Sequence, residues 1–232
     1  MKAIGLFAIV SLAVASAAAP AQDAPLGSRL GKRKDIVTPQ SPPQATQSAH
    51  RLAGCIYIKQ PTQARAALDS LDANDATKRL EALDARGTCI NLNMISENGG
   101  AQRASMPAPI YRGMLAEAAL RQGDIAGLLP PLERQPTYSR AWFAVTGRPL
   151  AVDEMAACMA DTNPLGLRAL FATTAETPEE LAAFSNLSSW MGPCLTAGAK
   201  LSANRQSLRA AFAEALYHRA VTPTAPVAAP LK

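Results

Sequence analysis

Histidine is almost missing from this chain: His50 and His218 are the two among 232 residues. A histidine-built metal centre therefore has too few ligands, and neither H-E-x-x-H nor C-x-x-C occurs to supply one. There is no G-x-S-x-G and no Gly-rich phosphate loop, so the sequence signatures of a hydrolase nucleophile elbow and of a nucleotide cradle are both absent. Aromatic residues make up 5% of the chain. Too few rings interleave with the basic residues to stack on single-stranded bases, so no specific nucleic-acid partner is expected. Strand-forming runs are scarce as well, "CIYIK" (55–59) being the one good example, and no apolar run reaches the ~18 residues that a membrane-spanning helix needs.

What is present begins with an address. Lys2 precedes the apolar core "AIGLFAIVSLAVA", and small residues follow in the A-x-A pattern that a signal peptidase reads. Cleavage after Ala21 fits best, and cleavage after Ala17 also satisfies the rule. The chain is thus expected to be exported, periplasmic or secreted, with residues 1–21 removed. Residues 22–47, rich in Pro, Gln and Ser, lack apolar periodicity and are read as a flexible arm; the Pro/Ala-rich ending 222–232 is read as a matching tail. The formal charge of +5 belongs to these ends. Between 51 and 221 there are 17 Lys and Arg against 16 Asp and Glu. Arg29, Lys32, Arg33 and Lys34 form the one basic cluster, a candidate for weak contact with an anionic surface.

The body of the chain repeats itself. "AGCIYIKQPTQARAAL" (53–68) matches "AACMADTNPLGLRALF" (156–171) at an offset of 103, aligning Cys55 with Cys158, Pro61 with Pro164 and Arg65 with Arg168. Cys89 and Cys194 match at 105, and "YRGMLAEAALRQ" (111–122) matches "LRAAFAEALYHR" (208–219) at 97. The smaller last offset places a loop insertion in copy one, in "NMISENGGAQRASM", whose Asn98–Gly100 is the expected internal cleavage point. Two tandem helical units, 48–123 and 152–221, joined by 124–151, are therefore expected.

Helical periodicity runs through the matched segments. Tyr111, Leu115, Ala118 and Ala119 share the spacing of Leu208, Phe212, Ala215 and Leu216, one apolar stripe on each last helix. Pro61 and Pro164 open helices with stripes Ala64, Ala67, Leu68, Leu71 and Leu167, Leu170, Phe171, Thr174. Thr177 to Glu180 has the spacing of a capping box, and Gly87, Gly123 and Gly147 stand where helices would end. The fold class is all-α, two disulfide-pinned units with disordered ends. Four cysteines allow three pairings, and self-contained units select Cys55–Cys89 and Cys158–Cys194.

Candidate functional residues are few. Glu117 with Arg121, and Glu214 with His218, are i,i+4 pairs that fit a solvated helix face. Arg112 and Arg209, with Arg65 and Arg168, recur in both copies and are the candidate partner-binding arginines, suited to a carboxylate-bearing partner. Tyr138, Trp142 and Trp190 are candidates for the junction between units, either packing the units together or lining a ligand groove. No catalytic residue, metal ligand or cofactor is assigned; His218 is a lone surface histidine, and His50 adjoins the arm.

The doubled Cys-x5-Pro-x3-Arg, "GTCI" and "GPCL", and "RGMLAEAALR" with "RAAFAEALYHR" resemble a group of uncharacterised exported proteins of sphingomonad-type bacteria. The resemblance implies an envelope location and a helical fold, and it carries over no activity. The leading expectation is a non-enzymatic envelope protein that binds another protein. A periplasmic enzyme, signalled by His218 beside an acid, and a small-ligand carrier using the junction are the alternatives.

Overall fold

Helices account for the regular structure of the computed structural model, which describes residues 42–83, 89, 106–122, 129–199, 201 and 203–222. The signal segment, the basic cluster, Gly87, Gly123, Asn98–Gly100 and the tail from 223 lie outside the described residues. The first four helices are α1 (Pro42–Lys59), α2 (Pro61–Asp69), α3 (Ala73–Ala82) and α4 (Ala108–Gln122). A 3-10 turn over Ala141–Val145 precedes α5 (Leu150–Thr162), α6 (Pro164–Ala172), α7 (Pro178–Cys194) and α8 (Arg205–Val221).

Local chemistry explains the boundaries. Asp72, Asn163, Thr177 and Asn204 cap α3, α6, α7 and α8, each side chain accepting the backbone N–H three residues on, which satisfies one of the orphan donors of a first turn. Thr177 and Glu180 do form the expected pair, but the Glu180 carboxylate accepts from Glu176 N–H at 2.9 Å rather than from the cap residue itself. Gly147, at φ +69°, ends the 3-10 turn in the left-handed region. "CIYIK" is helical, as its partner "CMADT" is. One boundary moves: α1 starts at Pro42, taking in 42–47 from the supposed arm. Proline at a first turn gives up no helical hydrogen bond, and Ala and Gln propagate helix well. Gln47 Nε2 donates to Ala175 O at 3.0 Å, tying this turn to the body.

Both disulfides close within their own halves, Cys55–Cys89 and Cys158–Cys194, with Cα separations of 5.8 and 5.6 Å. The halves nevertheless share one hydrophobic core, which runs from Ala49 to Tyr217. Helices α4 and α8 are its axis. α1 packs on α4 and α5 on α8, while the most extensive contact in the fold is α4 against α8. That contact is close because Gly113 meets Ala210: an ideal Cβ at Gly113 would lie 2.3 Å from Ala210 Cα. The two residues are matched at the same offset of 97, so the crossing lies at equivalent points of the two helices. Neither helix is a half-solvated stripe; residues 112–120 and 208–218 are buried all round.

Candidate functional site

The matched charges of α4 and α8 face each other across this crossing. Arg112 Nε and Nη2 reach Glu214 Oε1 at 2.8 and 2.5 Å, and Arg209 Nε and Nη2 reach Glu117 at 2.8 and 2.7 Å. Each arginine thus pairs with the glutamate of the other half. Their remaining donors stay within their own halves: Arg112 donates to Ala67 O and Leu68 O and Arg209 to Thr173 O, at helix ends where carbonyls lack intrahelical partners, and Arg209 also donates to the Glu180 carboxylate. Both arginines are 1% exposed. This corrects the docking expectation for Arg112 and Arg209, because a guanidinium spent on buried carboxylates and carbonyls has nothing left for a partner. Glu117 and Glu214 do not form a solvated face; they are buried counter-ions. Of the other two, Arg65 is exposed and donates to Tyr57 OH at 2.8 Å, and Arg168 is half-buried on α6.

Glu214 anchors a larger cluster. Arg148 donates to its Oε2, at 2.8 Å from Nη1, and reaches Asp153 Oδ1 at 3.2 Å. Thr146 Oγ1 donates to Asp153 Oδ2 at 2.5 Å. Burial pushes the Glu214 carboxyl up, but Arg148, His218 and Arg112 outweigh it and hold the group down at about 2. At Asp153 burial wins over Arg148 and the Thr146 hydrogen bond, raising the group to about 6. Low dielectric makes the balance between desolvation and pairing decisive at each carboxylate.

Beside this cluster lies a cavity of about 660 Å³ between the halves. The last residue of α2 contributes Asp69 and the segment after it Leu71, the connecting segment Arg140 and Trp142, α5 Asp161, and α8 His218. Trp142 stacks on His218 at 4.7 Å with planes 12° apart, and meets Phe143 edge-on at 4.5 Å. Asp161 is buried, which raises its carboxyl against the opposing effect of Arg219 and Arg140; Nε of Arg219 is 3.4 Å away and Nη2 of Arg140 3.5 Å. Tyr217 OH donates to Asp69 Oδ1 at 2.9 Å, fixing that carboxylate at the rim. The connecting segment is held over this region by Leu132 N–H donating to Asp161 O at 2.7 Å.

No family model, curated protein or solved structure matches this chain.

The expected junction residues divide. Trp142 is in the cavity wall. Tyr138 is buried but does not line this cavity, its hydroxyl accepting Gln135 N–H at 3.1 Å and its ring lying under the Arg140 guanidinium. Trp190 is 47% exposed on α7 and does not line this cavity. His218 is no lone surface residue: it is buried, its Nε2 lies 3.8 Å from Glu214 Oε1, and that nitrogen has no hydrogen-bond partner among the described residues. His50 does not adjoin an arm either; it is mostly buried on α1, with Nδ1 3.6 Å from Glu117 Oε2. Asp69, Asp161, Arg140 and Arg148 were missed. Asp161 matches Ile58 and Asp69 matches Ala172, so a carboxylate replacing an apolar residue between the copies was the available signal.

Proposed function

We propose that the protein is a non-enzymatic binding protein of the bacterial envelope that holds a small ligand in the cavity between its halves. The carrying observation is the cavity itself. At about 660 Å³ it falls within the ~300–1,000 Å³ of ordinary small-molecule sites, and it combines an aromatic wall with few, convergent polar groups. Trp142 and Leu71 offer apolar contact, Asp69 suits an amine or hydroxyl, and Arg140 suits a carboxylate, because its Nη2 is held loosely, with Asp161 and Gln135 at 3.5 Å, while Nη1 donates to Ser139 O at 3.0 Å. An envelope location is supported by two disulfides, which persist in oxidising compartments, and by the leader-like first 21 residues. No helix among the described residues is long and apolar enough to cross a membrane.

His218 beside Glu214 is the feature that favours the enzyme alternative. Against it, both Glu214 oxygens are committed to Arg112 and Arg148, so the acid has no free lone-pair geometry with which to orient and recharge a catalytic histidine. The test uses the two tryptophans. Trp190→Phe leaves Trp142 as the emitter in the cavity. Titrating this variant with the low-molecular-mass fraction of an envelope extract should change its emission, with a non-covalent adduct in native mass spectrometry. Both signals should vanish in Trp190→Phe with His218→Ala. Absence of adduct and emission change would overturn the reading, and chemical conversion of the bound molecule would replace it with the enzyme.

A further inference from the structure

A second cavity, of about 550 Å³, occupies the equivalent place in the other half of the molecule. Its wall residues match those of the first at the offsets of the repeat: Gly54 with Ala157, Ala118 with Ala215, Arg121 with His218, Gln122 with Arg219 and Thr174 with Leu71. One architecture therefore builds two cavities, each between the first and last helix of one half and the segment after the second helix of the other. Their chemistry has diverged. The first has an indole, with two carboxylates balanced by Arg140 and Arg219, whereas the second has Arg51, Arg121, Arg209 and His50 with the carboxylate of Glu117 around an apolar wall of Met114, Ala118 and Ala175.

The charge of the second cavity decides what it takes. Among the described residues Glu117 is the one carboxylate in its wall, and Arg209 meets it bidentately at 2.7 and 2.8 Å while also reaching the Glu180 carboxylate outside the wall at 2.9 Å. The wall thus holds three guanidinium groups beside one carboxylate, and Arg51 and Arg121 are the two that are exposed. Arg51 is exposed, with Nη2 donating to Ser48 Oγ at 2.8 Å. The Arg121 side chain is 52% exposed, with its nearest carboxylate oxygen at 3.5 Å. His50 Nε2 is buried without a hydrogen-bond partner among the described residues. Space exists as well, since a Cβ built on Gly54 meets nothing within 4 Å.

We infer that this cavity binds a small organic anion, its carboxylate or phosphate head between Arg51 and Arg121 and its apolar body against Met114 and Ala118. Guanidinium forks bind both heads bidentately. The site is independent of any ligand in the junction cavity.

Hexanoate, hexyl phosphate and hexylamine, three probes with one tail and different heads, test it by NMR titration of the full chain. Saturable shifts of the Gly54 amide and of the Arg51 and Arg121 Nε–H signals are expected with one or both anions, and none with the amine. Arg121→Met should weaken the anion by about tenfold or more, the loss expected for a charge-assisted contact. Gly54→Phe, which fills the space from a position that contacts nothing, should abolish binding while the remaining spectrum stays folded. Equal shifts with hexylamine, no saturable shift with either anion, or unchanged binding in folded Gly54→Phe would each overturn the assignment.

Discussion

Replacing Gly113 by alanine sets local propensity against tertiary contact, and the structure says which wins. In a helix interior this change normally stabilises by about 0.5–1 kcal/mol, because glycine loses more backbone entropy on folding. Here the new Cβ would lie 2.3 Å from Ala210 Cα and Cβ and 2.5 Å from its carbonyl oxygen, whereas carbon atoms pack at about 3.5–4.0 Å. Helices α4 and α8 must part by about 1 Å or more to admit it. The residues immediately before the contact, Arg112 and Arg209, hold the two cross pairs at 2.5–2.8 Å, so the separation pulls on both. Overpacking alone costs about 1–3 kcal/mol, and breaking a buried ion pair costs about 3–5 kcal/mol. Partial loss of the pairs puts Gly113→Ala at about 3 kcal/mol destabilising or worse, a large share of the ~5–15 kcal/mol typical of a domain. Gly54→Ala is the control. It is also a helix-interior glycine, but its Cβ meets nothing, so it should be stabilising by about 0.5–1 kcal/mol. Urea titrations followed by far-UV circular dichroism, with disulfides intact, measure both. A Gly113→Ala protein as stable as the parent would refute the account of the helix crossing.

Two further outcomes are expected. Reducing both disulfides, which close loops of 34 and 36 residues, should lower the urea midpoint and the melting temperature by the equivalent of about 3–4 kcal/mol for each bridge; an unchanged melt would show that they constrain nothing. The carboxylates should shape the pH profile of the urea midpoint in opposite ways. Asp153, raised to about 6, favours folding at low pH and loses that contribution as pH rises from about 4 through 6, so Asp153→Asn should flatten this limb. Glu214, held at about 2, contributes above about 4.3 and is lost as pH falls toward 2, so Glu214→Gln should remove the acid limb along with much of the stability. Profiles parallel to the parent in both variants would contradict the cluster.

The helices and the disulfides were legible in the sequence because their causes are local or periodic. Pro61 and Pro164, the cap at Thr177, and the Cys spacing each act within a few residues or within one matched unit. Burial on both faces of α4 was not legible. Glu117 and Arg121 have the spacing of an exposed pair, and nothing near them shows that Arg209, 92 residues away, satisfies the glutamate. A buried charge reads as a surface charge until its partner is located. A junction groove with Trp142 is one of two readings of the sequence, but its other walls are hidden for a related reason, since Asp69, Trp142 and His218 come from three separate segments. The recurrence of Arg112 as Arg209 and of Glu117 as Glu214 is visible, but the arginines read as presented to a partner and the glutamates as members of a solvated face. Recurrence also satisfies a different requirement: two helices crossing at equivalent points must each carry both members of the pair.

That requirement separates the parts of the wall that are free to differ from the parts that are not. Around a two-fold-like crossing, a residue on one helix meets the non-identical residue on the other, and the reverse contact follows, as in an isologous interface. Arg112 to Glu214 and Arg209 to Glu117 have this form. Changing one member leaves a buried charge unpaired, so the arrangement is held as a set. The next positions outward, Arg121 against His218, Gln122 against Arg219 and Thr174 against Leu71, lie on cavity walls where no such reciprocity operates. They differ in every case. The shared core thus holds two cavities while leaving their linings free to differ: one wall sets an indole and two carboxylates beside Arg140 and Arg219, and the other sets three guanidinium groups beside the carboxylate of Glu117.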